Sequence, residues 1–372
     1  MSQDMKSVLS KNIQIALAIF CCVTIFFSFS QAHEQTRPTD QILNYKGADR
    51  TSILIEGAKK EGEIVFYSAM IVNQALRPVA DGFMKKYPFV KASYWRADTA
   101  DTMAKVSAEQ RAGNVVSDVI EGTGIGENVI QAGFALSFDS PVLDEYPKER
   151  RDPRKLWAAT RLSYYSLGFN TKQIAQGTQP KSYEDLLDPR WKGKLSWRIG
   201  PAGGMELFLT TLRIAWGEER AMTYLAQLRS QDIVNFGSGS ARTLVDRVMA
   251  GEFPMALNIF AHHPLISAKS GAPVDSQLFD PVTTTAAILT IPKGLRHPHA
   301  AMLFVDFLLS KEGQAILAGA EYFPAHPDVP PLEIMERVVP AKAGVGEVFI
   351  NPTLMPEYNT RSGEIWQDVF RK

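Results

Sequence analysis

Apolar and polar positions alternate in blocks along residues 61–126. Ile64, Val65, Phe66 and Tyr67 form a short run suited to a buried strand. Over residues 74–87, Leu76, Val79, Ala80, Phe83, Met84 and Tyr87 recur at helical spacing, which predicts a helix with one buried stripe that Pro88 stops. The same alternation continues with a strand over 92–95, a helix over 99–112 closed by Gly113, and a strand over 117–121 that runs into Gly122, Thr123 and Gly124. Strands and helices in strict alternation specify an α/β fold whose sheet is parallel with right-handed crossovers.

In an open parallel sheet, ligands bind beyond the carboxyl ends of the strands. Those ends carry Ser68 and Ala69, then Arg96, Asp98 and Thr99, then Gly122, Thr123 and Gly124. Small, hydroxylated and basic residues suit a polar or anionic ligand held by backbone N–H groups and helix N-termini. The same residue types are also ordinary turn formers, so both readings stay open position by position.

Residues 131–154 read as a loop, with Pro141, Pro147 and Pro153. A long strand is expected over 162–171. The alternation then repeats: strand 195–198, helix 204–216, strand 232–236, helix 239–250 with Leu244, Val245, Val248 and Met249 inward, and strand 254–260. A β-branched apolar run over 283–291 returns the chain to the first half. Two passes, near Tyr164 and near Thr284, imply a hinge and a cleft between two α/β halves. The rim of the second half adds Arg198, Gly203, Ser238, Ser240, His262 and His263 as candidate contacts.

Lys6 and Lys11 precede an apolar run over 13–29, and Ser30, Gln31 and Ala32 close it with small residues where a signal peptidase requires them. This is the layout of a secretory signal peptide cut after about residue 32; an uncleaved anchor is the alternative, since the run approaches the roughly 18 to 20 residues that a spanning helix needs. Phe20 before Cys21 argues against a lipoprotein site. Both cysteines, Cys21 and Cys22, leave with the signal, so no disulfide, thiol nucleophile or cysteine metal ligand is expected in the mature chain. Residues 33–50 read as a flexible leader. With 372 residues, 45% hydrophobic and 22% charged, the chain can bury a sizeable core. Its formal net charge of zero points to neither nucleic acid nor an anionic membrane as partner.

Catalytic patterns are missing. Gly122, Gly124 and Gly126 mimic part of a dinucleotide fingerprint, but the third glycine is misplaced and no acidic residue follows at the required spacing. Neither Ser238 nor Ser240 has the flanking glycines of a nucleophile elbow. No phosphate-binding loop or histidine-glutamate zinc motif occurs, so neither an enzyme nor a cofactor is expected. Arg96 and Arg198, beyond strands of different halves, would make a two-sided clamp for a carboxylate or phosphate if both face the cleft, and Arg242 is a further basic candidate. For each, a surface salt bridge is the competing reading. Tyr164 and Tyr165 are adjacent on one strand, so alternation allows at most one of them to face the cleft.

Several segments together resemble the extracellular solute-binding proteins of ABC transporters, in the branch usually labelled iron(III)-type. They are residues 61–68, residues 108–113 followed by Ser117, Asp118 and Val119, residues 168–172, residues 181–195, and residues 304–317. The most specific, 181–195, also has a local physical reading: Ser182 can cap a short helix that buries Leu186 and Leu187 and is stopped by Pro189. The resemblance covers most of the mature chain. It implies a type II periplasmic binding fold of two lobes, 51–164 completed by about 283–310 and 165–282 completed by about 311–372, the last with helices around 332–338 and 363–370. It also implies a periplasmic monomer that closes on a small polar or anionic solute and delivers it to an inner-membrane ABC permease. Ferric or other metal uptake is one alternative, and a periplasmic sensor presenting to a receptor kinase is another. In the ferric binding proteins that the chain resembles, adjacent tyrosines follow the strand matching 255–260; here Phe260, Ala261, His262 and His263 stand there. Neutral imidazoles favour softer divalent ions over Fe(III), so the substitution speaks against ferric binding in that manner.

Overall fold

The computed structural model describes residues 38–199, 204–237 and 240–371. The expected signal peptide, Gly203 and Ser238 lie outside the described residues. Helices α1 (Pro38–Asn44) and α2 (Arg50–Glu61) precede strand β1 (Glu63–Ser68), and α2 ends where Gly62, in left-handed backbone at φ 72, donates its N–H to the Ala58 carbonyl. The leader reading needs correction here. Leu43 is wholly buried and the Asn44 side chain donates to the Ser137 carbonyl, so one apolar anchor ties the segment down.

Next come α3 (Arg77–Lys86), β2 (Lys91–Arg96), α4 (Thr99–Ala112), β3 (Val119–Gly122) and α5 (Ile125–Gln131). Strand β1 lies parallel to both β2 and β3, with Ser68 opposite Arg96 on one side and Glu121 on the other. The carboxyl ends of the three strands therefore gather at one edge, as the block pattern predicts.

The chain continues with β4 (Ala158–Asn170), β5 (Leu195–Trp197), α6 (Met205–Trp216), α7 (Glu218–Leu228), β6 (Val234–Asn235), α8 (Ala241–Met249), β7 (Met255–Phe260), α9 (His262–Lys269), β8 (Val274–Gln277) and β9 (Val282–Pro292). After them come α10 (Pro298–Leu309), α11 (Lys311–Gly319), β10 (Phe323–Pro324), β11 (Glu347–Phe349) and α12 (Met355–Ile365). The main sheet runs β2-β1-β3-β9-β4-β7-β5-β6. The parallel expectation holds for β1 with β2 and β3 and for β5 with β6 and β7, whereas β9 runs antiparallel to β3 and β4, and β4 antiparallel to β7 and β8.

Strand β4 joins the halves. Its residues up to Tyr164 pair with β9, and from Tyr165 onward they pair with β7 and β8. A two-lobed architecture follows, with one core around Phe66, Phe83, Phe304 and Phe307 and another around Phe169, Trp197, Phe208 and Leu225. Each such side chain stabilises the fold by about 1.5 to 3 kcal/mol relative to its exposed state. Helix α7 was not read from the sequence, although Ala221, Tyr224, Leu225 and Leu228 form its buried stripe.

Three details differ from expectation. Ser182 does accept from the Asp185 N–H at 3.0 Å, but the helix it caps is a single tight turn, Glu184–Leu187, because Pro189 follows at once. His262 and His263, expected only as rim residues past a strand, open helix α9. Residues 311–372 do not all join the second core: α11 packs on α3, Met335 and Val338 enter the first core, β11 pairs with β9, and only α12 and the residues after it pack against α6 and Trp197.

Candidate functional site

Strand β4 is apolar except where it meets the cleft, and its pleat decides what faces it. Arg161 and Ser163 point into a recess of about 270 Å³, while Leu162 and Tyr164 line a separate groove with Phe323 and His326 on the opposite side of the strand. Gln74, Glu321 and Tyr322 complete the recess on the side of the first core; Arg242, Phe260, His262 and His263 complete it on the side of the second.

Arg161 can sit in an apolar strand because its charge is matched. Its Nε donates to Glu121 Oε1 at 3.2 Å, and the two side chains are 11% and 1% exposed. Glu121 also accepts from Thr160 Oγ1 at 2.9 Å and from Ser68 Oγ at 2.6 Å. The Arg161 guanidinium stacks 4.7 Å over the Tyr322 ring. The guanidinium is thus fixed in place before any solute arrives.

The two histidine rings lie 4.5 Å apart, with Phe260 packed against both. His262 is 8% exposed, and the Nδ1 atoms of both rings are buried with no hydrogen-bond partner among the described residues. Burial holds His262 well below the usual imidazole range, helped by His263, Arg161 and Arg242. Burial, then Arg242, brings His263 down to about 4. Both rings are neutral at pH 7 and sit in positive potential. Arg242 is half-exposed and donates to Asp246 at 2.9 Å within its own helix, a pair that contributes little to stability.

Of the residues singled out from sequence, His262, His263 and Arg242 line this recess. Ser68 is fully buried, its hydroxyl committed to Glu121 and to the Met70 N–H. Asp98 caps α4 by accepting from the Asp101 N–H, and Thr99 donates to the Thr123 carbonyl at 3.3 Å. Gly122 allows close packing, since a Cβ there would lie 2.7 Å from Ile125 and 3.3 Å from Ala69; Gly124, at φ 77, opens α5. Arg96 is exposed at the end of the outermost strand, whereas Arg198 is half-buried near Tyr165, so the structure does not bring them together in the recess. Ser240 caps α8 by accepting from the Thr243 N–H.

The tyrosines divide as alternation requires. Tyr164 packs on Phe323 in the groove, and Tyr165 lies on the recess side against Phe260, with Thr285 Oγ1 3.5 Å from its hydroxyl. Burial pushes Tyr164 up to about 12 and raises Tyr165 as well, which disfavours either phenolate. Arg161, Glu121, Glu321 and Tyr322 were missed. The usable signal was a charged residue inside an otherwise apolar strand, once in β3 and once in β4, because a buried charge requires a partner.

Residues 115–338 match the family model of bacterial extracellular solute-binding proteins. An uncharacterized protein of Haemophilus influenzae is 32% identical over 273 residues, covering 70% of this chain and 76% of that protein. A Fe(3+)-binding periplasmic protein of Serratia marcescens is 22% identical over 275 residues, covering 70% and 78% respectively. Among solved structures, the periplasmic binding protein AfuA of Actinobacillus pleuropneumoniae, with exogenous fructose-6-phosphate bound, superposes with a TM-score of 0.66 at 22% identity, covering 84% of this chain and 99% of that one. That likeness establishes a shared two-lobed fold.

Proposed function

Since this chain belongs to the bacterial extracellular solute-binding proteins, we propose that it captures a small anionic solute in the recess beside β4 and delivers it, in the periplasm, to an inner-membrane ABC permease. The observation that carries the reading is the convergence of Arg161, Arg242, His262 and His263 on one recess from both sides of the hinge strand. A guanidinium offers a planar fork of donors to a carboxylate or phosphate, and a neutral imidazole adds one N–H. Contacts from both halves favour the closed state, which is the state a permease distinguishes from the open one. The family consists of substrate-binding proteins, and no catalytic role is assigned to any residue here.

Ferric uptake is the second reading, favoured by the Serratia relative. The donor chemistry supports it less well. Among the described residues there is no group of three or more His, Cys, Asp or Glu side chains placed to hold a metal ion, and the buried tyrosines resist deprotonation. Imidazole suits softer ions.

The test is native mass spectrometry of the protein isolated from periplasm without refolding, followed by calorimetric titration with phosphate, phosphonates and short carboxylates. An organic mass lost on denaturation, or saturable anion binding abolished by Arg161→Ala, supports the proposal. A retained iron mass, with no anion binding, overturns it in favour of the metal reading.

A further inference from the structure

The recess is lined by an acidic side chain as well as by cationic ones. Glu321 lines it together with Arg161, yet its carboxylate has no ion pair or hydrogen bond among the described residues. Its backbone is equally unusual. Helix α11 ends in a two-bond cap in which the Glu321 N–H donates to the Ala318 carbonyl and the Tyr322 N–H to the Leu317 carbonyl, both at 3.0 Å. That geometry places Glu321 in left-handed backbone at φ 62, the position where helices ordinarily use glycine. A carboxylate just past a helix C-terminus also meets the negative end of the helix dipole. Local stability therefore argues against glutamate here twice over, and residues held against such preferences cluster at ligand sites.

The turn is held rigidly. Gln74 Nε2 donates to the Ala320 carbonyl at 2.6 Å, and the Tyr322 ring carries the Arg161 guanidinium. The acid and the guanidinium are thus presented from adjoining positions on one fixed frame, with the solute space between them and the histidines.

We propose that Glu321 determines specificity by receiving a cationic group, an ammonium, on the same solute whose anionic group meets Arg161, His262 and His263. This rests on the anion reading above and narrows it to dipolar solutes. A purely anionic solute would leave Glu321 buried beneath it without a partner, which is costly for a charge.

The test is calorimetric titration of the full mature protein with aminomethyl-, 2-aminoethyl- and 3-aminopropylphosphonate, each against its analogue lacking the amine, and with inorganic phosphate. At least one amine is expected to bind about tenfold tighter than its partner, and Glu321→Gln to erase that difference by weakening the amine. Equal binding within every pair overturns the inference, as does a difference that survives Glu321→Gln. An amine affinity left unchanged by Glu321→Gln while amine-free binding tightens also overturns it, because Glu321 then acts only by repelling the anion. Phosphate binding with no phosphonate binding overturns the inference and spares the anion reading; no binding of any anion overturns both. Glu321→Gly gives an independent check: it is expected to raise the thermal midpoint while losing amine selectivity, whereas lost folding would mean the glutamate is structural.

Discussion

Arg161 Nε and Glu121 Oε1 are 3.2 Å apart, a bond that reaches across β9 from β4 to β3 and lets a cation stand in the middle of an apolar strand. Both groups are below the surface, so neither is solvated if the other is removed. Glu121→Ala is expected to destabilise the protein by about 3 to 5 kcal/mol, the usual cost of breaking a buried pair from one side. Urea unfolding at neutral pH checks it. A loss well below that range would mean that Arg161 swings into the recess and reaches water, in which case solute affinity should fall more than stability.

The histidines make both stability and binding depend on pH. His263 titrates near 4 in the folded chain against an ordinary value of 6.5, so between these values the unfolded chain binds more protons. Its contribution is complete above pH 6.5 and is lost as pH falls through 4, on the order of 3 kcal/mol. His262 is shifted in the same direction. His263→Gln should flatten the decline in unfolding free energy between pH 6.5 and 4. A bound anion opposes the shift by favouring the imidazolium, so binding should take up protons and tighten toward pH 5. Titration in two buffers of different ionisation heat measures the uptake directly; no difference between them would show that the histidines bind as neutral donors.

The fold was legible because its signals are local. Alternating runs marked β1 and β3, three-and-four spacing marked α3, and Gly113 marked the end of α4; Asp98 and Ser240, read as ligand contacts, are caps that the same local logic identifies. The recess was far less legible. Arg161, Glu121 and Glu321 lie at distant points of the chain and meet only through β3, β4 and the end of α11. Glu321 in particular gave no pattern, since its meaning depends on a backbone angle. The Arg96 and Arg198 pair failed for the same reason in reverse: each follows a strand, but the order of strands in the sheet keeps Arg96 at the far edge.

Glu127 provides a contrasting titration. It sits in the first turn of α5, directly behind the Gly122 to Gly124 turn, is 4% exposed, and has neither carboxylate oxygen bonded among the described residues. Burial raises its carboxyl to about 8. A raised value means that its contribution is complete below pH 4.5 and is lost as pH rises through 8. Glu127→Gln should therefore stabilise the protein at pH 9 by on the order of a few kcal/mol and change little at pH 4. Chemical denaturation at the two pH values decides it, and equal effects at both would place water beside the carboxyl.

On the second lobe, Asn258 takes left-handed backbone at φ 51 in the middle of β7, a conformation that asparagine tolerates better than other residues with a Cβ. Its Nδ2 donates to the Gly204 carbonyl at 2.8 Å, and Met205 N donates to the Arg198 carbonyl at 2.9 Å, so the two ends of the segment after β5 are pinned to each other and to β7. Gly204 cannot be replaced easily: at φ 74, an added Cβ would stand 2.2 Å from the Arg198 carbonyl oxygen. Asn258→Ala removes the donor and leaves a buried carbonyl unpaired, which should destabilise the protein by about 1 to 3 kcal/mol. Asn258→Gly removes the same bond but relieves the backbone, so its loss should be smaller. If the segment also positions Arg198 toward solute, both variants lower affinity to the same degree despite their different stabilities; affinity that tracks stability instead would assign Asn258 to the fold alone.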